Sequence, residues 1–297
     1  MASFDFVDRL LFGRSAHEWR SPKLMISTIN YDSAALRHLI YDEVFSLAKY
    51  RSLLGELILR NIKTRYKRSF LGVAWTMLNP LLTMLVLSIV FSHLFAYNVP
   101  EYSVYLLSGL LLWNFFAQTT VAAMRELVWS GGILKRVFIP RALFAVAAVG
   151  TGIVNLVLAL VPLGLIMLLN GSRFRMALLF LPVAVVMASM FALGIGLCLS
   201  TLAVFFTDVM DMYQILLVAW MYLTPIFYPF EILAPEFHWL IRANPMYYIL
   251  ECFRIPIYLG VLPDPNILVR AILSAVIALL VGSWIFVRKS DEFAYYL

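Results

Sequence analysis

Basic residues gather in one short stretch of this sequence, and their chemistry is that of anion binding. Five positive charges stand close together, at Arg60, Lys63, Arg65, Lys67 and Arg68. Near a membrane surface each basic side chain gains about 1 kcal/mol from anionic lipid headgroups. The stretch therefore indicates either a site for an anionic headgroup or a set of charges that only fixes the orientation of the chain in a membrane.

A second stretch mixes basic and large apolar side chains in a segment too short to cross a membrane. Residues 133–139 can form two helical turns between Gly131-Gly132, which break the preceding helix, and Pro140, which starts the next one. The segment has no obvious surface of its own chain to bury against, which favours docking to a partner protein. Burial among lipid headgroups is the alternative. The residues concerned are Leu134, Lys135, Arg136, Val137, Phe138, Pro140 and Arg141.

Aromatic residues are the third chemical resource of the chain, which has 22 Phe, 15 Tyr and 7 Trp. Their rings can stack on sugar rings and can line a smooth passage. They are also expected in the interfacial belts of membrane proteins and in ordinary packing. The sequence leaves both roles open for Trp75, Trp113, Phe116, Trp220, Tyr222 and Tyr228.

Catalytic motifs are missing from the sequence. It has no G-x-x-x-x-G-K-[ST] phosphate-binding loop, no cluster of His, Cys and carboxylates with metal-ligand spacing, and no evident Ser/His/Asp set. The long apolar segments also lack the ionisable residues that ion-coupled carriers use. We therefore expect no catalytic residue, metal or cofactor in this chain, and if it transports a substrate, we expect another subunit to supply the energy.

Long apolar segments must position these residues. The chain is 63% hydrophobic and 13% charged, whereas a soluble domain has about 25% charged residues. A bilayer core of about 30 Å needs roughly 20 apolar residues in a helix. The sequence therefore predicts an all-α polytopic membrane protein with six transmembrane helices, over Val73–Asn98, Tyr102–Met124, Ala142–Ser172, Met176–Thr207, Val209–Phe230 and Ala271–Val287.

The remaining segments complete the predicted organisation. Residues 1–42 form an N-terminal cytoplasmic arm, residues 43–70 an amphipathic helix in the membrane interface, and residues 71–297 the six-span domain. The proline- and aromatic-rich stretch 229–270 predicts short re-entrant helices outside the cytoplasm. Glu251 and Arg254 can form an ion pair on one of them.

Basic residues also predict the orientation of the chain. Eighteen of the 23 Lys and Arg residues lie in segments that are cytoplasmic if both termini are cytoplasmic. This bias favours that topology. It also makes nucleic-acid binding a poor explanation of the net charge of +6, because the basic residues flank the predicted spans.

Five motifs, in order along the chain, resemble the type-2 branch of ABC transporter permeases that exports polysaccharides. One stands at the entry to the first span, one in the second span, one before the third span and two late in the sequence. They are Arg65–Trp75 followed by Leu78-Asn79-Pro80, Gly109–Phe116, Leu134–Arg141, Thr224–Pro229 and Asn244–Arg254.

This resemblance implies a transport subunit that hydrolyses nothing itself. Such permeases form homodimers in the bacterial cytoplasmic (inner) membrane and pair with two copies of an ABC ATPase, which binds ATP and Mg. They export lipid-linked glycans such as O-antigen, capsule or teichoic-acid precursors. The resemblance also implies that residues 134–141 form the coupling helix. On this interpretation the basic residues 60–68 attract the pyrophosphate of the lipid carrier, and the aromatic residues line the conduit.

Three other functions remain open on the sequence. A type-2 permease for a lipid or a hydrophobic drug belongs to the same class. A membrane-embedded glycan-transferring enzyme is less favoured, because the outer carboxylates form no compact motif. The third is a structural scaffold.

Overall fold

The computed structural model describes residues 50–67, 72, 74–95, 101–134, 139–171 and 175–296. Within these ranges the chain is helical and has no strand, which agrees with the predicted all-α class. The predicted arm, residues 1–42, and residues 43–49 of the predicted amphipathic helix lie outside the described residues.

Eleven α-helices follow one another in the described ranges, numbered in chain order. Short 3-10 turns over Met176–Phe180, Phe230–Ile232 and Pro235–Phe237 lie between them. The helices are α1 Arg51–Tyr66, α2 Ala74–Phe95, α3 Tyr102–Trp129, α4 Gly131–Leu134, α5 Ala142–Leu169, α6 Leu181–Phe205, α7 Val209–Leu223, α8 His238–Ala243, α9 Pro245–Tyr258, α10 Pro265–Ser290 and α11 Phe293–Tyr296.

Five helical segments of the described chain are long and apolar enough to cross a membrane. They are α2, α3, α5, the 3-10 turn Met176–Phe180 together with α6, and α10. Each contains at least 18 residues, close to the roughly 20 that a bilayer core requires. The chain is therefore a multi-pass membrane protein, as its composition predicted.

The predicted span over Val209–Phe230 is wrong in length. Helix α7 ends at Leu223 after 15 residues, which cover about 22 Å at 1.5 Å per residue. Thr224 is extended, with φ −102° and ψ 131°. Its position before Pro225 explains the end of the helix, since proline disfavours helical geometry in the residue that precedes it.

The last predicted span is also wrong at its start, since α10 begins at Pro265 and not at Ala271. The Asp264 side chain caps this helix by accepting a hydrogen bond from the Asn266 backbone N–H at 2.8 Å. The proline-rich stretch before it contains two 3-10 turns, α8 and α9, so short helices are present where the sequence predicted them.

Helix α3 lies at the centre of the packing and is the most buried of the five candidate spans. It contacts α2, α5, α6 and α9. Its Trp113 and Phe116 meet Phe191 of α6 and Trp220 of α7 in an aromatic cluster, with ring centres 5.2 to 6.4 Å apart. Helix α7 makes few contacts with the other helices. Its Trp220 therefore provides one of the main contacts between α7 and the rest of the chain.

Helices α6 and α10 approach each other through glycine. A methyl group added at Gly282 would collide with the backbone of Gly194, and one added at Gly194 would collide with the backbone of Ala278. Small residues allow this close contact between helices in membranes. The pair fixes α10 against α6 along their length.

Helix α1 packs on α5 through one apolar side. Leu57 is buried there, and Leu53, Leu54 and Ile58 join the same cluster. Arg60 and Lys63 are exposed on the other side. A location of this helix in the membrane interface stays a prediction.

Helix α3 ends at Trp129, one residue earlier than the predicted glycine break. Ser130 caps the helix, and Gly131 and Gly132 belong to the next turn, α4. The glycines therefore begin the short helix and do not interrupt the long one. Helix α5 then starts at Ala142, directly after Pro140 and Arg141, as predicted.

Candidate functional site

Most of the predicted anion-binding residues lie at the exposed end of α1. Arg60, Lys63, Arg65 and Lys67 are exposed, and the Arg60 guanidinium donates a hydrogen bond to the Asn61 side chain at 3.3 Å. Arg68 lies outside the described residues. Lys63 and Arg65 occupy the last turn of the helix, where positive charge also stabilises the helix dipole.

The predicted coupling segment is described only at its two ends. Its first turn is α4, and Lys135, Arg136, Val137 and Phe138 lie outside the described residues, as does the side chain of Leu134. Pro140 is buried.

Arg141 is bound within its own chain. Its guanidinium donates a hydrogen bond to the Ser290 carbonyl at the end of α10 and lies 5.9 Å from the ring centre of Phe293. This side chain therefore joins the start of α5 to the end of α10.

The structure divides the predicted conduit aromatics into two groups. Trp113 and Phe116 are buried in the aromatic cluster, where they contact other side chains of the chain and no open surface. Both side chains therefore pack within the protomer, and a role for them in lining a passage stays a prediction. Trp75 and Tyr222 are exposed, by 47% and 61%.

Two further aromatic residues are half-buried and hydrogen-bonded. The Trp220 indole N–H donates to Asn244 Oδ1 at 2.9 Å, and the Tyr228 hydroxyl donates to the Tyr222 carbonyl at 2.7 Å. The Trp220 bond ties α7 to the start of α9, where Asn244 also caps the helix through the Met246 N–H at 3.0 Å.

A polar cavity of about 240 Å³ opens where α1, α2, α3 and α5 meet. This cavity was not predicted from the sequence, although Arg65 and Trp75 are both part of its wall. Nine polar side chains line it: Arg65, Thr76, Asn79, Asn114, Gln118, Thr119, Glu126, Thr151 and Asn155. Most of them carry amides or hydroxyls, so a search of the apolar segments for ionisable residues does not find them.

Helical spacing brings these polar residues together. Asn114 and Gln118 are four residues apart on α3, and Thr151 and Asn155 are four residues apart on α5, so each pair shares one side of its helix. The pairs could have been found in the sequence as uncharged polar residues at i, i+4 within apolar segments. Their meeting across helices required the fold.

Two hydrogen bonds hold the rim of the polar cavity. The Arg65 guanidinium donates to Gln118 Oε1 at 2.8 Å, and the Asn61 amide donates to Glu126 Oε1 at 2.5 Å. Within the described part of the chain, Thr119 Oγ1 and Glu126 Oε2 are buried and have no hydrogen-bond partner. Polar atoms in this state are uncommon in proteins and favour a ligand or water beside them.

A buried arginine organises the opposite end of α3. Arg254 of α9 donates hydrogen bonds to the Pro225 and Ile226 carbonyls at 2.8 and 3.4 Å, and pairs with Glu251 at 3.3 Å as predicted. Burial raises the pKa of the Glu251 carboxyl, and the adjacent arginine opposes that rise. The site satisfies the backbone of the irregular segment after α7, which is a structural role.

Comparison with known proteins agrees with this architecture. A sequence model of the family described as ABC-2 type transporter matches residues 52–258, which is more than half of the chain. The chain belongs to this family. The motifs had indicated the same family, and its members are transport subunits without catalytic activity of their own. Membership implies association with an ABC ATPase partner.

Relatives from Myxococcus xanthus and from Klebsiella pneumoniae are named O-antigen export system permease protein RfbA. The one from Myxococcus xanthus is 31% identical over 254 residues, which cover 84% of this chain and 97% of the relative. The one from Klebsiella pneumoniae is 25% identical, with 84% and 96% covered.

A third relative is named for capsule export. It is the capsule polysaccharide export inner-membrane protein CtrC of Neisseria meningitidis, which is 26% identical over 70% of this chain and 80% of its own length.

Proposed function

We propose that this chain is the permease subunit of an ATP-driven exporter that moves a lipid-linked polysaccharide of the O-antigen or capsule type across the bacterial cytoplasmic membrane. The observation that carries the proposal is the match to a relative named as an O-antigen export permease over 97% of that relative. A near-full-length match covers the spans and the connecting segments together, which a shared single motif does not.

Six crossings with both termini in the cytoplasm complete the proposed topology. Helix α7 is too short to cross alone, but the segment 224–229 continues from it and is held by α3 and α9. Irregular backbone at membrane depth needs such cover from protein. In this topology α8 and α9 are the re-entrant helices outside the cytoplasm, and α1 lies in the membrane interface on the cytoplasmic side.

Two protomers enclose the proposed conduit between their α2 and α7 helices. On α2, Leu85, Val86 and Ile89 are more than half exposed, and on α7 the same holds for Ile215 and Leu216. Both helices contribute little to the packing of their own chain, which leaves apolar surface for a second copy or for substrate. Trp75 and Tyr222 are the exposed aromatics that we propose face the glycan.

The cytoplasmic contacts follow from the same topology. The segment Leu134–Arg141 docks on the ABC ATPase, and the exposed basic residues of α1 attract the pyrophosphate of the lipid carrier. The exposure of Arg60, Lys63 and Lys67 supports the second role. The same charges can also attract anionic membrane lipids, which is the alternative role for these residues.

Copurification and reconstitution test the function. The permease is purified from membranes in which the partner ATPase is coexpressed, and ATP hydrolysis is measured in liposomes with a lipid-linked oligosaccharide, with phospholipid alone, and with a hydrophobic drug. We expect copurification and stimulation by the lipid-linked oligosaccharide only. Stimulation by the drug or phospholipid instead supports the alternative permease, and nucleotide hydrolysis by the purified chain alone contradicts the proposal.

A further inference from the structure

We propose that the polar cavity between α1, α2, α3 and α5 binds one sugar unit of the substrate. This inference rests on the proposed function, because it assigns the glycan part of a lipid-linked substrate to a site inside one protomer. The site adjoins the proposed conduit between protomers, because Trp75 of α2 belongs to the wall of the cavity and to the proposed glycan-facing surface. It would hold the substrate at the side of the bundle where α1 meets the spans.

The size of the cavity fits a single ring. Its volume of about 240 Å³ is below the roughly 300–1,000 Å³ of sites for drug-sized ligands. Asn79 and Gln118 in its wall are exposed, so the cavity is open to the surface at one side. A sugar at the end of a longer chain can therefore enter while the rest of the chain stays outside.

The polar half of the lining has the chemistry of a hydroxyl-rich ligand. Amides and hydroxyls both donate and accept hydrogen bonds, as sugar hydroxyls do. Thr119 is 1% exposed. Within the described part of the chain, neither its hydroxyl nor the buried Oε2 atom of Glu126 has a hydrogen-bond partner. Hydroxyls of one sugar ring placed between the helices can bond to each of these atoms and remove their unfavourable burial.

The charge of the cavity argues against an anionic occupant. Among the described residues of the wall, Arg65 is the one basic residue, and the Glu126 carboxylate offsets it. A pyrophosphate inside would face this carboxylate, whereas a neutral sugar meets no such cost. Arg65 also lies at the end of the exposed basic stretch of α1. A pyrophosphate bound outside at that stretch would place the adjoining sugar at the mouth of the cavity.

Titration with simple ligands tests the assignment on the permease–ATPase complex in lipid nanodiscs. The probes are methyl glycosides of glucose, mannose and galactose, whose binding is followed by saturation-transfer proton NMR. Inorganic pyrophosphate is the anionic comparison, and its binding is followed by broadening of its phosphorus-31 signal. Thr119→Val keeps the shape of the side chain and removes the hydroxyl. We expect it to weaken binding of at least one glycoside by roughly threefold to tenfold, the effect of one lost hydrogen bond.

Matched variants separate the cavity from general packing. Gly152→Ala adds a methyl group that collides with Thr119 Oγ1, so it should also weaken glycoside binding. Gly164→Ala on the same helix meets nothing within 4 Å and should leave binding unchanged. Thr201 is buried elsewhere and donates to the Leu197 carbonyl, so Thr201→Val controls for loss of a buried threonine. Thermal unfolding establishes that each variant is folded. If the Gly152→Ala protein does not fold, Thr119→Val alone tests the sugar site.

Two results overturn the sugar site. One is equal glycoside binding by wild type, Thr119→Val and Thr201→Val, and the other is a response to inorganic pyrophosphate alone. If the lipid-linked oligosaccharide still stimulates ATP hydrolysis in either case, the export function stands without this site. If glycosides bind through Thr119 while the lipid-linked oligosaccharide never stimulates hydrolysis, the site stands and the export function fails.

Discussion

The Arg254 guanidinium lies over the ring of Tyr105, 3.9 Å from the ring centre. A planar guanidinium stacks on an aromatic face and still points its N–H groups outward in the ring plane. Here those groups reach the Pro225 carbonyl and Glu251, while the Tyr105 hydroxyl donates to the Tyr228 carbonyl at 3.0 Å. The two side chains together tie the irregular segment after α7 to both α3 and α9.

Loss of this arginine should destabilise the protein strongly. Arg254→Met leaves the Glu251 carboxyl and the Pro225 carbonyl without their donor, and removing one partner of a buried ion pair costs about 3–5 kcal/mol. Arg254→Lys keeps the charge but loses the planar stack, so it should fall between wild type and the methionine variant. Thermal unfolding of the purified protein in detergent measures the order.

Arg242 provides the matched control for that series. It is exposed and lies 5.7 Å from the ring centre of Phe230, so Arg242→Met removes a similar contact without burial. Its effect should be below about 1 kcal/mol, as for exposed cation–aromatic contacts. Equal melting temperatures for the Arg254→Met and Arg242→Met proteins would show that the buried contacts of Arg254 stabilise the protein no more than the exposed contact of Arg242.

Neutralising the exposed basic residues of α1 should weaken the use of substrate without preventing assembly. In the variant Arg60→Gln, Lys63→Gln and Lys67→Gln, each lost charge should cost about 1 kcal/mol against an anionic headgroup, or roughly fivefold in affinity per residue. The concentration of lipid-linked oligosaccharide that gives half-maximal stimulation of ATP hydrolysis measures this shift. High salt should reduce the difference between wild type and variant.

Arg288→Gln at the exposed end of α10 controls for a general loss of surface charge. It should leave half-maximal stimulation unchanged. If the triple variant inserts correctly and exports with wild-type dependence on substrate, the basic stretch of α1 only sets topology, and the pyrophosphate assignment is wrong.

Charge placed in the coupling segment should separate ATP hydrolysis from export. Leu134→Asp with Phe138→Asp puts carboxylates on a surface that we propose is buried against the ATPase, where an unpaired charge is costly. We expect export to fall at least tenfold and stimulation of hydrolysis by substrate to disappear. Leu169→Asp is the control, because Leu169 is 85% exposed at the far end of α5. Coupled export by the double variant would remove the docking role of this segment.

The sequence predicted helix ends correctly where a helix starts with an uncharged apolar run. The predictions were wrong where a proline or a capping side chain sets the end of the helix. The starts of α3 at Tyr102 and α5 at Ala142 agree with the predictions. The end of α7 was missed because apolar residues continue past Leu223, although Pro225 marks the break. The start of α10 was missed because Arg270 interrupts the uncharged run, although Asp264-Pro265 is a cap followed by a helix-starting proline.

The polar cavity was beyond the sequence for a different reason. Most of its polar residues are uncharged amides and hydroxyls that occur singly or in pairs on different helices, such as Asn114 of α3 and Asn155 of α5. Nothing in either segment alone distinguishes a cavity wall from a polar contact between helices. Only the packing of α3 against α5 brings the two sides together.

Alanine at Tyr222 and at Trp113 should have opposite consequences. The Tyr222 ring is 61% exposed on α7, so Tyr222→Ala should slow glycan export by several-fold if this ring contacts the passing sugar, with little change in stability. Trp113 is buried against Phe116 and Trp220, and Trp113→Ala should cost about 3–5 kcal/mol as an aromatic truncation in a core. Export rate per assembled complex and melting temperature, measured on both variants, separate the two roles. A loss of stability in both variants with normal export by the surviving complexes would make Tyr222 a packing residue as well.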